Sequence, residues 1–120
     1  MAQNFKGRVA LITGSTTGLG FGIAKVLGLG GAKVVMNYAN DSERGERAFA
    51  ELEALGCEGI LLRGSAINGD EINAMVKQAE EQLGPIDIVV PNATPDQPLK
   101  PIEEYDWEFY QQMLDFFVKS

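Results

Sequence analysis

The fold is decided by the stretch Val9-Ala-Leu-Ile-Thr-Gly14-Ser-Thr-Thr-Gly18-Leu-Gly20-Phe-Gly-Ile-Ala-Lys-Val-Leu27. An apolar run leads into a turn rich in glycine, serine and threonine, after which apolar residues recur at helical spacing. Short apolar runs rich in β-branched residues are typical of buried strands, and a period of 3.6 residues indicates a helix. The stretch therefore predicts a buried strand, a glycine-rich turn and a helix packed on a sheet.

The three glycines of this turn stand where a bound pyrophosphate would need them. Gly14 allows a sharp bend after the strand, Gly18 lets the backbone approach a phosphate closely, and Gly20 lets the helix lie against the sheet. The first N–H groups of the helix and the positive end of its dipole then face the anion. The pattern predicts a dinucleotide-binding turn.

The hydroxyl groups of Ser15, Thr16 and Thr17 lie in the same turn and can add hydrogen bonds to a phosphate. An ordinary loop between a strand and a helix is the simpler alternative. The strand before the turn, the helix after it and the βαβ continuation favour the phosphate-binding interpretation.

Composition restricts the classes of function. The chain has 120 residues, is 45% hydrophobic and carries a net charge of −7, so residues 1–120 are expected to form one domain with an acidic surface. The negative charge argues against nucleic acid or an anionic membrane as partner. With one cysteine and no histidine, no metal site is expected. The single cysteine and the absence of a signal or membrane-spanning segment predict a cytoplasmic protein.

Strands and helices are predicted to alternate along the chain. Gly30-Gly31, Gly56 and Gly84-Pro85 end the first three helices, and capping boxes are predicted at Asn40 and Glu43 and at Asn68 and Glu71. Asp106 is the expected cap of the last helix. The predicted strands are Arg8–Thr13, Lys33–Tyr38, Gly59–Arg63 and Ile86–Val90; the predicted helices are Leu19–Leu29, Ser42–Leu55, Gly69–Leu83 and one from about Trp107.

This alternation predicts an α/β fold with a doubly wound parallel sheet of the Rossmann type, because parallel strands need crossover helices. The expected strand order is 3-2-1-4, with the ligand crevice between strands one and four.

Two motifs resemble those of the short-chain dehydrogenase/reductase family. Thr13-Gly14-Ser-Thr-Thr-Gly18-Leu-Gly20 has the TGxxxGxG spacing of that family, and Gly84-Pro-Ile-Asp87-Ile-Val-Val-Pro-Asn92-Ala93 is similar to its fourth-strand signature. The resemblance covers the whole chain, and the chain covers about the first half of the family's domain. It implies an NAD(P)-binding portion of an oxidoreductase that moves hydride between nicotinamide and a carbonyl or alcohol.

In the family, the catalytic serine and the Tyr-x-x-x-Lys pair lie on the fifth strand and the following helix, beyond Ser120. We therefore assign no catalytic residue, and the chain by itself is expected to be inactive. Whether it is an enzyme stays open at this stage. A non-catalytic interaction module of the same fold is the alternative function.

The resemblance also implies the cofactor-binding residues. The glycine-rich turn holds the pyrophosphate, Asn37 meets the adenosine ribose, Ser65 and Ala66 lie beside the adenine, and strand four lines the crevice. The expected cofactor-binding set is Gly14, Ser15, Thr16, Thr17, Gly18, Leu19, Gly20, Asn37, Ser65, Ala66, Asn92, Ala93 and Thr94.

Three positions depart from the family pattern. Thr94 replaces the last glycine of Asn-Asn-Ala-Gly, and Ser65 replaces the aspartate that contacts the adenine amino group. Phe117 stands where the family has an asparagine that supports a proton-relay water. These departures favour a divergent member and keep the interaction module as the alternative.

The end of strand two bears on the choice of cofactor. An aspartate at this point would bind the ribose 2′-hydroxyl of NAD and repel a 2′-phosphate, but the sequence is Asn37-Tyr38-Ala39-Asn40. Arg44 is the nearest cation. The segment favours NADP(H) over NAD(H) by a narrow margin.

The last helix is apolar on most of its circumference, with Trp107, Phe109, Tyr110 and Met113 among its residues. A two-layer domain buries only one face of such a helix. The family packs this helix at a dimer interface, which implies a homo-oligomer. Burial of the helix against further strands of the sheet is the simpler alternative. Two further residues have simpler interpretations: Asp87 either supports the adenine pocket or bonds nearby backbone, and Cys57 is expected to be a packed residue rather than a nucleophile.

Overall fold

The computed structural model describes residues 4–93 and 101–115. It contains one four-stranded parallel sheet with the order β3-β2-β1-β4, as predicted. The elements are β1 Val9–Ile12, α1 Gly18–Leu29, β2 Lys33–Tyr38, α2 Ser42–Ala54, β3 Gly59–Arg63, α3 Gly69–Leu83, β4 Ile88–Val90, a 3₁₀ helix Ile102–Glu104 and α4 Trp107–Leu114.

The two central strands are buried because helices cover both faces of the sheet. Ile12, Val34 and Met36 pack with α1 and α2 on one face. Leu11 and Val35 pack with α3 on the other. Strands covered on both sides are apolar throughout rather than alternating, which is why β1 and the core of β2 were recognisable from sequence.

The helix boundaries follow their capping residues. The side chain of Asn68 accepts the N–H of Glu71, and that of Asp106 accepts the N–H of Phe109, as predicted. The N-cap of α2 is Asp41, whose carboxylate accepts the N–H of Arg44 at 3.0 Å. The predicted capping box at Asn40 was therefore wrong by one residue, because both neighbours are good caps and only the phase of the helix chooses between them.

Helix α4 has no buried residue. Trp107 is 73% exposed, and Tyr110 and Leu114 are nearly half exposed. Tyr105, Phe109 and Tyr110 form a ring cluster at its start. The predicted apolar circumference is thus present in the described part of the helix, while Phe117 lies outside the described residues.

Candidate functional site

A cleft of about 990 Å³ lies at the carboxyl edge of the sheet. It is bordered by the turn after β1, the ends of β2 and β3, and the residues that follow β4. The predicted site residues that line it are Gly14, Thr16, Thr17, Gly18, Leu19, Asn37, Ser65, Ala66, Asn92 and Ala93. Parallel α/β sheets bind ligands at this edge, where the strand order reverses.

The turn after β1 depends on glycine at two positions with positive φ. Gly14 has φ +60°, and a Cβ there would lie 2.8 Å from the Cα of Ala93. Gly18 has φ +58°, and a Cβ there would meet no protein atom within 4 Å. Gly14 thus permits close packing against the segment after β4, whereas Gly18 leaves open space beside the cleft.

Gly20 has a packing role rather than a place in the cleft lining. A Cβ at this position would collide with Nδ2 of Asn92 and would lie 2.6 Å from the carbonyl oxygen of Gly14. The start of α1 can therefore approach the sheet only with glycine here, as the sequence predicted.

The first turn of α1 differs from those of the other described α-helices. Thr17, at its N-cap position, makes no side-chain capping hydrogen bond, whereas α2, α3 and α4 are capped by Asp41, Asn68 and Asp106. The N–H groups of an uncapped first turn retain their capacity to bind an anion. These groups lie beside the cleft because Gly18 and Leu19 line it.

Thr13 joins the ends of β1 and β4. Its Oγ1 accepts the N–H groups of Asn92 and Ala93 at 2.9 and 3.0 Å. In return, Nδ2 of Asn92 donates to the carbonyl oxygens of Thr13 and Gly14. Four hydrogen bonds therefore fix the segment after β4 against the glycine-rich turn. The predicted set omitted Thr13, although the TGxxxGxG motif contains it.

Ser15 does not line the cleft. It is fully buried, its Oγ accepts the N–H of Asn37 at 2.9 Å, and its own N–H donates to the carbonyl oxygen of Asn37. Its hydroxyl oxygen therefore faces β2, and the expected hydrogen bond from this hydroxyl to a phosphate stays a prediction.

Asn37 lies at the cleft but is only 2% exposed. Its Oδ1 accepts the N–H of Gly14 at 3.0 Å, and its Nδ2 donates to the carbonyl oxygen of Gly64 at 3.0 Å. Both polar ends of the side chain are therefore used within the protein. Asn37 therefore connects the ends of β1, β2 and β3, and its expected contact with the adenosine ribose stays a prediction.

The cleft lining continues beyond Asn37 with Tyr38, Asn40, Asp41 and Arg44. The side chains of Asp41 and Arg44 are about half exposed, with Nε of Arg44 4.0 Å from Oδ2 of Asp41. No acid stands at the very end of β2, yet Asp41 places one in the same cleft at the start of α2.

The end of β3 adds a second ion pair to the cleft. Nη1 of Arg63 lies 3.6 Å from Oε1 of Glu71, and the same oxygen accepts the N–H of Ser65 at 3.3 Å. Arg63 and Glu71 both line the cleft beside Ser65 and Ala66. Neither was predicted, because Glu71 belongs to the first turn of α3 and reaches the cleft only through the fold.

The remaining expectations have mixed outcomes. Asp87 bonds backbone: its Oδ1 accepts the N–H of Val9 at 3.3 Å, so the simpler interpretation holds. Cys57 is buried, and burial raises the pKa of its thiol. Thr94 lies outside the described residues.

Within residues 4–93 and 101–115, no cluster of potential ligands could hold a metal ion, and no helix is long and apolar enough to cross a bilayer.

The chain matches a known protein family and several characterised proteins. The family model of the short chain dehydrogenases matches residues 8–120. The 2-dehydro-3-deoxy-D-gluconate 5-dehydrogenase of Formosa agariphila is 42% identical over 88 residues, which is 73% of this chain and 33% of that protein. The 3-oxoacyl-[acyl-carrier-protein] reductase of Staphylococcus epidermidis is 35% identical over 101 residues, or 82% of this chain and 41% of the relative.

Solved structures match nearly the whole chain. A short-chain type dehydrogenase/reductase from Mycobacterium marinum superposes with a TM-score of 0.88 at 28% identity, covering 98% of this chain and 47% of that one. A blue fluorescent protein from a metagenomic library, in complex with NADPH, gives 0.82 at 29% identity, covering 96% and 47%. The chain thus spans less than half the length of each of these four proteins.

Proposed function

Because the chain belongs to the short-chain dehydrogenase family, we propose that its cleft binds a nicotinamide dinucleotide as the cofactor-binding portion of an oxidoreductase. The observation that carries the proposal is the uncapped first turn of α1 behind a glycine turn. There, Gly18 leaves open space beside the cleft.

The residues present fit such a cofactor. The pyrophosphate would be held by backbone N–H groups of the Gly18–Gly20 segment and by the helix dipole, which suits a protein with a net charge of −7. The adenosine half would lie over β2 and β3, and the nicotinamide half beside Asn92 and Ala93. When bound, the cofactor supplies or accepts a hydride, while this chain's residues bind and orient it.

We propose NADP(H) as the preferred form, since no acid stands at the end of β2 and Arg44 lines the same cleft. Asp41 opposes this preference, because its carboxylate shares the guanidinium of Arg44. The preference is therefore expected to be modest. The NADPH complex of the metagenomic protein is consistent with it.

The proposed reaction of the whole protein is hydride transfer between nicotinamide and a carbonyl or alcohol. The two relatives, a gluconate-derivative dehydrogenase and a 3-oxoacyl reductase, both have activities of this class. Residues 8–120 correspond to the cofactor portion of that chemistry, and the substrate itself stays unassigned. The cytoplasmic location likewise stays a prediction.

Calorimetric titration of the folded chain with NADPH and with NADH tests the proposal. Binding of either cofactor supports it. Gly18→Ala should weaken binding at least tenfold, because a Cβ would occupy the space beside the phosphate site and φ +58° is unfavourable for alanine. The matched control is Gly22→Ala, which lies in α1 with nothing within 4 Å of its Cβ. A folded chain that binds neither cofactor would overturn the proposal.

A second candidate is a non-catalytic interaction module that acts through α4. The observation in its favour is the exposure of Trp107, Tyr110 and Leu114 on that helix. Light scattering of the wild-type chain and of Trp107→Ala distinguishes the two. A module of this kind predicts a stable dimer that Trp107→Ala dissociates and that nicotinamide nucleotides leave unchanged, whereas a 13.0 kDa monomer that binds cofactor excludes it.

A further inference from the structure

We infer that Glu71 recognises the base of the bound nucleotide and selects a 6-aminopurine over a 6-oxopurine. The inference rests on the proposed function, because it assumes that the adenosine half of a dinucleotide lies over the ends of β2 and β3.

The place of the base follows from the sheet order. With the phosphates at the turn after β1, a nucleotide that extends towards β2 reaches the end of β3 two strands away. Parallel strands are about 4.8 Å apart, so this distance is about 10 Å, comparable to the length of a ribose with its phosphate. The residues that border the cleft there are Arg63, Ser65 and Glu71.

The carboxylate of Glu71 is held in position at this end of the cleft. Its Oε1 accepts the N–H of Ser65 at 3.3 Å and lies 3.6 Å from the guanidinium of Arg63. The backbone of Glu71 is fixed as well, because its N–H donates to Oδ1 of Asn68. The side chain is 36% exposed, so it is both oriented and accessible to a ligand.

An ionised carboxylate only accepts hydrogen bonds. The exocyclic amino group of adenine is a donor and suits this acceptor, whereas the 6-carbonyl oxygen of hypoxanthine would face it as a second acceptor. Charge-assisted hydrogen bonds are about twice as strong as neutral ones. The side chain of Arg63, 63% exposed beside the carboxylate, ends in a planar guanidinium cation on which the purine can stack.

Glu71 therefore provides from α3 an acid that β3 lacks at Ser65. The family resemblance implies an aspartate at position 65, and in this chain a hydrogen bond from the Ser65 backbone brings a carboxylate to the same end of the cleft from the next helix. This replacement explains how the cleft can retain preference for adenine although Ser65 itself carries no charge.

The test is to titrate the 120-residue chain with NADPH and with deamino-NADPH, which carries a carbonyl oxygen in place of the 6-amino group. Wild type should bind NADPH about tenfold more tightly. Glu71→Gln should reduce the ratio to about two or less, because an amide side chain can either accept from the amino group or donate to the carbonyl. The substituted amide also keeps an oxygen for the N–H of Ser65, so a purely structural role of Glu71 predicts an unchanged ratio.

Glu81→Gln is the matched control, since it removes the same charge from an exposed position of the same helix and should leave the ratio at the wild-type value. Equal affinity of wild type for the two nucleotides, or an unchanged ratio in Glu71→Gln, would overturn the inference while leaving the proposed function intact. Failure of the folded wild type to bind either nucleotide would overturn the proposed function and this inference with it.

Discussion

Oδ1 of Asn37 accepts the N–H of Gly14 at 3.0 Å, across 23 positions of sequence. The opposite end of the same amide donates to the carbonyl oxygen of Gly64, beyond the end of β3. One buried side chain thus connects the glycine-rich turn to both strands, β2 and β3, that are proposed to lie beneath the adenosine. The shape of the turn depends on β2 as well as on its own glycines.

Replacement of Asn37 should therefore destabilise the fold and weaken cofactor binding together. In Asn37→Ala, the N–H of Gly14 and the carbonyl of Gly64 lose their partner, and each buried unsatisfied group costs about 1–3 kcal/mol. We expect the free energy of unfolding to fall by about 2–5 kcal/mol in urea denaturation. Asn73→Ala, at an exposed position of α3, is the control and should change it by less than about 0.5 kcal/mol.

A more specific result is expected from Asn37→Asp. Aspartate can still accept the N–H of Gly14 but would place a carboxylate oxygen against the carbonyl of Gly64, 3.0 Å from the present nitrogen. It should be at least as destabilising as alanine at neutral pH, because a buried charge is costly to desolvate. Equal stability of Asn37→Asp and wild type would show that the hydrogen bonds of Nδ2 contribute nothing to the free energy of unfolding.

Thr13 offers a matched pair of substitutions. Thr13→Val keeps the shape but leaves the N–H groups of Asn92 and Ala93 without their acceptor, so we expect a loss of about 2–4 kcal/mol in the free energy of unfolding. Thr13→Ser keeps the hydroxyl and should lose about 1 kcal/mol or less. Thermal or urea unfolding measures both, and similar losses in the two variants would exclude the hydrogen bonds as the cause.

The pair Asp41 and Arg44 is predicted to set the ratio of affinities for NADPH and NADH. Asp41→Ser keeps an N-cap oxygen for α2 and removes the charge that competes for Arg44, so the ratio should rise about threefold to tenfold in favour of NADPH. Arg44→Gln should lower it by a similar factor. Titration with both cofactors gives the ratios, and no change in either variant would remove these residues from the specificity site.

The Cys57 thiol gives a prediction about pH. Burial raises its pKa above the ordinary thiol value, so the folded state keeps the proton to higher pH than the unfolded state does. This contribution to stability is complete below the unfolded thiol's pKa of about 8.5 and is lost as pH rises through the folded value. The free energy of unfolding should therefore fall more steeply above about pH 8.5 in wild type than in Cys57→Ala, and parallel profiles would contradict this.

The sheet order and the helix boundaries were predictable because glycines, N-caps and apolar runs carry that information locally. The direction in which the side chain of Asn37 points was not predictable. A strand that is buried on both faces has no alternation of polar and apolar residues, so its pattern does not show which side chains point to the cleft.

Glu71 and Arg63 were missed for a different reason. Their place in the cleft depends on how α3 returns past the end of β3, and no spacing in the sequence encodes the 3.6 Å between their charged groups. The glycine-rich turn was predictable because its strand, glycines and helix are contiguous. The end of the cleft at Arg63, Ser65 and Glu71 was less so, because separate segments build it.

The most direct test of the central claim, that this cleft binds a nicotinamide dinucleotide, is a ¹H–¹⁵N correlation spectrum of the chain titrated with NADPH. Saturable shifts are expected in the N–H signals of Gly18 and Leu19 at one end of the cleft and of Ser65 and Ala66 at the other. The signals of α4 should stay in place. An unchanged spectrum of the folded chain at millimolar NADPH, or shifts confined to residues outside the cleft, would contradict it.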